Sequence, residues 1–127
     1  MVLPTPLRPI TLRLTGDAGH RISELPYGRQ RLVELAIALG LKPTVLLLDE
    51  PAAGVPSAES HIILDAIDGL PKSIGVLIID HDMDLVFRFA ERITVMVGGA
   101  IFASGSPKEI GVNPDVRAVY LGEAGHG

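Results

Sequence analysis

The chain contains no cysteine. It therefore has no disulfide frame, no thiolate metal site and no cysteine nucleophile, which suits a cytoplasmic protein. No apolar stretch approaches the roughly 20 residues that a membrane helix needs. Ile74 to Ile79, for example, is only strand-sized. The amino terminus, Met1-Val2-Leu3-Pro4-Thr5-Pro6-Leu7-Arg8-Pro9, lacks the charged start and long apolar centre of a signal peptide. No basic cluster interleaved with aromatics occurs, so nucleic acid is not an expected partner. Internal repeats and low-complexity segments are also missing.

What is present is one modest globular domain's worth of chain: 127 residues, 47% hydrophobic, 20% charged, with a net charge of −4. Two readings of the high apolar content stand open. One face can await a partner, or the core can be built of parallel strands buried on both faces.

Residues 1–9 hold three prolines and are expected to be irregular. Ile10 to Thr15 alternates like a short edge strand, and Gly16 to Gly28 reads as a loop. Leu32, Leu35, Ala36 and Leu39 recur at helical spacing, which predicts a helix over 29–39, stopped by Gly40 and Pro43. Val45 to Leu48 is a buried strand. Ser57 is the expected N-cap of a helix running to about Leu70, with Glu59 in its first turn and Ile62, Ile63, Ala66, Ile67 and Leu70 inward. Ser73 to Asp80 is a second buried strand, and Met83 to Glu91 a helix. Arg92 to Val97, Gly98-Gly99 and Ala100 to Ser104 read as a hairpin. Ser106-Pro107-Lys108-Glu109 opens a short helix. Asn113-Pro114-Asp115 opens another, reaching about Leu121. The alternation of strand and helix implies parallel pairing.

Three segments carry chemistry. In Val45-Leu46-Leu47-Leu48-Asp49-Glu50-Pro51, two acids stand at the carboxyl end of a strand, where open α/β sheets bind ligands. Asp49 is placed to help hold Mg²⁺, and Glu50 to take a proton from an attacking water. Pro51 turns the chain out of the sheet. The plain alternative is two solvated acids at a strand end. In Ile78-Ile79-Asp80-His81-Asp82, the imidazole leaves the second strand at the same sheet edge, where it can bond a γ-phosphate. The Asp80-His81-Asp82 run also resembles a fragment of a metal site, but no second histidine lies at ligand spacing. His20, His61 and His126 read as surface histidines. Leu25-Pro26-Tyr27-Gly28-Arg29-Gln30-Arg31 is a turn feeding a helix whose first N–H groups attract phosphate.

Taken together and in this order, the segments resemble the later half of an ABC-transporter nucleotide-binding subunit. Leu25 to Arg31 resembles its signature loop and Val45 to Glu50 its Walker B strand. Ala52 to Ser57 falls where the D-loop lies, and His81 matches the switch histidine. The wording Leu25-Pro26-Tyr27-Gly28, Asp49-Glu50-Pro51-Ala52-Ala53-Gly54, Asp80-His81-Asp82-Met83 and Asn113 to Glu123 is similar to the ATP-binding subunits of branched-chain amino-acid importers.

The resemblance covers residues 16–123, leaving 1–15 unmatched and 124–127 as a tail. It implies a partial P-loop NTPase-like three-layer α/β fold, with parallel strands and helices followed by a hairpin and short helices. It implies catalytic roles for Glu50 and His81 and a Mg²⁺ role for Asp49. Pro26, Tyr27, Gly28, Arg29 and Gln30 would contact, in trans, ATP held by a second ATP-binding subunit. Transmembrane permease subunits are the other implied partners. The implied place is the cytoplasmic face of the membrane, peripheral and not inserted.

Departures from the family pattern are visible. Pro26-Tyr27-Gly28 replaces Ser-Gly-Gly, Pro56 stands where the D-loop offers Asp or Asn, and Ile37 replaces a common arginine. No Gly-x-x-x-x-Gly-Lys-Ser/Thr segment exists in the chain, so the Walker A half is missing and nothing cradles the α- and β-phosphates. The expectation is a truncated or split frame, or a deliberately shortened chain, inactive alone. The alternative is a non-catalytic module that docks on a full-length subunit or a permease. A third reading, an unrelated small hydrolase or metal enzyme using Asp49, Glu50 and His81, leaves the signature turn and the carboxyl-terminal segment unexplained.

Overall fold

The computed structural model describes residues 14–124. The strand expected over Ile10 to Thr15 falls mostly outside them. Thr15–Asp17 itself forms a 3₁₀ turn, as does Ile22–Glu24. The described chain divides into two compact units, one ending at Asp80 and one beginning at His81.

The first unit holds helix α1 (Tyr27–Gly40), strand β1 (Val45–Asp49), helix α2 (Ser57–Asp68) and strand β2 (Gly75–Ile79). The strands pair in parallel, in register from Val45 opposite Gly75 to Asp49 opposite Ile79. The apolar spacing of α1 does what it predicts: Leu32, Leu35, Ala36 and Leu39 are buried. Ile63, Ala66 and Ile67 of α2 and Leu70 beyond it are buried too, while Ile62 is half-buried. Leu35 and Ala38 of α1, Ile63 and Ile67 of α2 and Leu46 and Leu48 of β1 line an open cavity of about 230 Å³, with Arg31, Glu34 and Asp49 also on its wall.

Two expectations fail here. Ser57 is not the cap of α2. The cap position belongs to Pro56 (φ −53°, ψ 142°), which has no side-chain acceptor, and Ser57 is the first helical residue. The strands are also not buried on both faces. Alternation puts Val45 and Leu47 on one face with their register partners Gly75 and Leu77 and with Ile79, and those residues are exposed. Among the described residues the sheet has two strands, with no third strand at either edge.

The second unit holds helix α3 (Met83–Phe89), strands β3 (Ile93–Val97) and β4 (Ala100–Gly105), and helices α4 (Pro107–Val112) and α5 (Pro114–Ala124). The last helix thus runs into the segment read as a tail. Strands β3 and β4 form the expected antiparallel hairpin across Gly98 (φ 58°) and Gly99 (φ 80°), a turn that needs positive φ at both positions. The register shifts between Val95 and Met96, so Phe102 of β4 bulges out of the ladder. Ile93, Ile110 and Val116 make the unit's core, lined by Val86, Phe87, Ala90, Val95, Ala103 and Tyr120.

Candidate functional site

The acid pair at the end of β1 is shaped by one backbone reversal. The Glu50 N–H still donates to the Ile79 carbonyl oxygen at 2.7 Å, so the sheet register reaches past the strand. The chain then leaves through Glu50 itself, at φ 44°, one residue before Pro51. The right-handed helical region is disfavoured for a residue before proline. A non-glycine residue in the left-handed region is costly by about 1 kcal/mol or more, and such strain gathers at functional positions. Burial alternates as far as the turn. Asp49 keeps the orientation of the uncovered face and is exposed, while Glu50 is half-buried.

Beyond β2 the chain places Asp80 beside Glu50. A carboxylate oxygen of each lies within 4.8 Å of the other. The sequence marks Asp80 only as part of a metal-site fragment; the signal for its pairing is the register of two strands 30 residues apart, which no local pattern carries. His81 follows Asp80 directly, is exposed, and opens the second unit. Asp82 is not free for a metal. Its side chain caps α3, accepting from the N–H groups of Asp84 at 3.1 Å and Leu85 at 3.3 Å. His20 and His61 are exposed as expected, and His126 lies outside the described residues.

The turn at Leu25 to Arg31 starts α1 with Pro26 at the cap position and no side-chain cap. One first-turn donor is instead satisfied from the next helix: the Gly28 N–H donates to Glu59 Oε2 at 3.2 Å. A Cβ on Gly28 would stand 3.0 Å from that oxygen and 3.2 Å from the Glu59 Cβ, so glycine lets the two helices meet. A Cβ on Gly54 would stand 3.3 Å from the Tyr27 ring, and this together with its φ of 74° favours glycine there. Gln30 Nε2 donates to the Leu25 carbonyl at 2.9 Å and fixes the turn. Arg29 pairs with Asp17 at 3.4 Å. Arg31 pairs with Glu34 at 2.9 Å and lies 5.6 Å from the Tyr27 ring centre. Within the first unit, then, the Pro26–Gln30 turn and the Ala52–Ser57 loop are joined through Glu59 and Tyr27, a link the sequence reading missed.

Chemically, the end of the parallel pair brings together hard carboxylate oxygens of Glu50 and Asp80, the donor type that a Mg²⁺ ion takes, and these two fit the ion, while Asp49 stands on the uncovered face. The α- and β-phosphates of a nucleotide find no matching loop in the 127 residues.

A family profile described as branched-chain amino acid ATP-binding cassette transporter matches residues 100–126. The high-affinity branched-chain amino acid transport ATP-binding protein BraF of Pseudomonas aeruginosa is 41% identical over 115 residues, covering 89% of this chain and 45% of that protein. LivG of Salmonella typhimurium, described in the same words, is 42% identical over 113 residues, covering 87% of this chain and 44% of LivG. Among solved structures, the ADP conformation of an ATP-binding cassette of an ABC transporter matches with a TM-score of 0.75 and 32% identity, covering 90% of this chain and 48% of that one. The chain therefore spans about half the length of the curated relatives it matches.

Proposed function

We propose that this chain, which belongs to the ABC-transporter ATP-binding subunits of the branched-chain amino-acid type and corresponds to their carboxyl-terminal half, supplies the hydrolytic and signature elements of a cassette that powers branched-chain amino-acid uptake. Glu50 is the general base: its half-buried carboxylate takes the proton of the attacking water, a role worth about 10²–10⁴-fold in rate. Asp49 helps to hold Mg²⁺, and Asp80 adds a third carboxylate at that edge. The ion, when bound with nucleotide, neutralises charge on the phosphates. His81 bonds the γ-phosphate and orients water and base. Pro26, Tyr27, Gly28, Arg29 and Gln30 present the start of α1 to ATP on a second ATP-binding subunit. Importer subunits of this family work with transmembrane permeases, and we place this chain with them at the cytoplasmic face. No described helix is long and apolar enough to cross a membrane.

The observation that carries the reading is the paired end of β1 and β2. Register brings Asp49 opposite Ile79, so Glu50 and the residues that follow Ile79 leave the sheet at one edge. In the missing phosphate loop lies the reason to expect no turnover from the chain alone. The test is a chimera in which this chain replaces the matching half of Salmonella typhimurium LivG in its importer. Mg²⁺-dependent ATP hydrolysis is expected, and Glu50→Gln is expected to lower it by about 10² or more. Hydrolysis indifferent to Glu50→Gln would sink the assignment. The second reading, a non-catalytic docking module, is favoured by the uncovered apolar face of the sheet, and it predicts that same indifference.

A further inference from the structure

Resting on the reading of Pro26–Gln30 as a turn that meets ATP of a second subunit, we propose that Asp17 and Glu59 are built-in anions on that turn. They hold its anion-seeking donors while no nucleotide is there, and an incoming phosphate must displace them.

The donors of the turn can be taken one by one. Pro26 has neither an N–H nor a polar side chain. The Gln30 Nε2 is engaged with the Leu25 carbonyl at 2.9 Å. Two further donors suit an anion. One is the Gly28 N–H in the first turn of α1, where the helix dipole favours negative charge, and the other is the Arg29 guanidinium. Each already faces a carboxylate of this chain. Glu59 Oε2 accepts from the Gly28 N–H at 3.2 Å, and Asp17 Oδ2 lies 3.4 Å from Arg29 Nη1. The two acids come from separate elements, Asp17 from the 3₁₀ turn Thr15–Asp17 and Glu59 from the first turn of α2. Carboxylate and phosphate oxygens are alike as acceptors of such charge-assisted bonds. The acids therefore stand where phosphate oxygens would.

Space and charge call for displacement and not addition. Gly28 is buried, and a Cβ placed on it would stand 3.0 Å from Glu59 Oε2 and 3.4 Å from Val55 Cγ1. One N–H offers one hydrogen, so a phosphate oxygen reaches it as the carboxylate leaves. A phosphate arriving alongside would instead meet like charge within a few Å. Neither acid is locked in the core. Glu59 is half-buried, and the side chains of Asp17 and Arg29 are 24% and 30% exposed. A link that merely fixed the turn would need an acceptor oxygen but no charge, and that difference gives the test its sign.

The test titrates the complete 127-residue chain with inorganic phosphate, against chloride at equal ionic strength, and follows the Gly28 amide by NMR. Asp17→Asn and Glu59→Gln keep an acceptor oxygen and remove the charge. Each is expected to lower the phosphate concentration at half-response by about threefold, and the double change by about tenfold. Glu59→Ala, which adds no donor of its own, is expected to follow Glu59→Gln. Glu24→Gln removes the same charge from an exposed acid that accepts from the Arg21 N–H, and is expected to change nothing. In the importer chimera the double change is expected to lower the KM for ATP by about threefold or more, with kcat altered less than about twofold. A merely structural role predicts the opposite sign, a raised KM. An unchanged or weaker phosphate response in the double variant would overturn the proposal. So would a raised KM in a chimera whose hydrolysis Glu50→Gln abolishes. Hydrolysis indifferent to Glu50→Gln sinks the cassette reading instead, and the phosphate titration then decides the competition by itself.

Discussion

The two units of this chain begin their helices in different ways. In the second unit each helix is capped by a side chain next to it in sequence. Asp82 caps α3, Ser106 and Glu109 form a reciprocal capping box on α4, and Asn113 Oδ1 accepts from Asp115 and Val116 at the start of α5. In the first unit both helices start behind a proline with no side-chain acceptor. The Gly28 donor of α1 finds its partner 31 residues away, on α2. Local caps specify a helix from a few residues, whereas a distant partner requires the tertiary fold to form first. The second unit thus carries its own instructions. The first depends on long-range contacts and leaves one sheet face uncovered. It is also the unit that carries the carboxylates of Asp49, Glu50 and Asp80.

The largest expected effect tests whether that difference reaches the cores. Leu32 in α1 is 0% exposed and Ile110 in α4 is 2% exposed. Either residue changed to alanine should cost about 2–5 kcal/mol. Native-state hydrogen exchange on each variant gives the sharper reading. Leu32→Ala should raise exchange across α1, β1, α2 and β2 and leave β3 and β4 nearly unaltered, and Ile110→Ala should do the reverse. Equal loss of protection in both units from either change would mean one cooperative body, and the comparison would fail.

Next in size is the link between α1 and α2. Glu59→Ala removes the acceptor at Gly28 and should cost about 1 kcal/mol, a hydrogen bond to a charged group discounted for its partial exposure. Glu59→Gln keeps an oxygen in place and should recover most of that. Both are read by chemical denaturation with the exchange rate of the Gly28 amide. An amide equally protected in all three proteins would show that the bond is not what satisfies the turn.

Much of this architecture is legible in the sequence because it is local. The spacing of Leu32, Leu35, Ala36 and Leu39 announces α1. Gly98-Gly99 announces the hairpin, Ser106-Pro107-Lys108-Glu109 announces α4, and the run from Val45 announces β1. The carboxylates at a strand end are legible for the same reason. What escapes is set by distance. The apolar run of β1 reads as doubly buried because Leu47 has the side chain for it, and Leu47 is exposed because no helix among the described residues covers that face. The left-handed turn at Glu50 is invisible because glutamate gives no sign of positive φ. The approach of Asp80 to Glu50 and of Glu59 to Gly28 each depends on register or helix packing across about 30 residues.

The smallest expected effect separates two serines that look alike in sequence. Each stands near a helix start with a glutamate two or three residues on. The Ser106 hydroxyl accepts from the Glu109 N–H at 3.2 Å, and the Glu109 carboxylate accepts from the Ser106 N–H at 3.2 Å. Ser106→Ala should therefore cost about 1 kcal/mol, the usual loss for a side-chain cap. Ser57 has no such acceptor role. It is already inside α2, its own carbonyl accepts from the Ser60 hydroxyl at 3.0 Å, and the cap position before it is Pro56. Ser57→Ala should change stability by no more than about 0.5 kcal/mol, because alanine is the better residue inside a helix and no bond is lost. Denaturant midpoints of the two variants measure the contrast. Equal losses would return Ser57 to the capping role its sequence position suggests, and with it the local instruction that the first unit otherwise lacks.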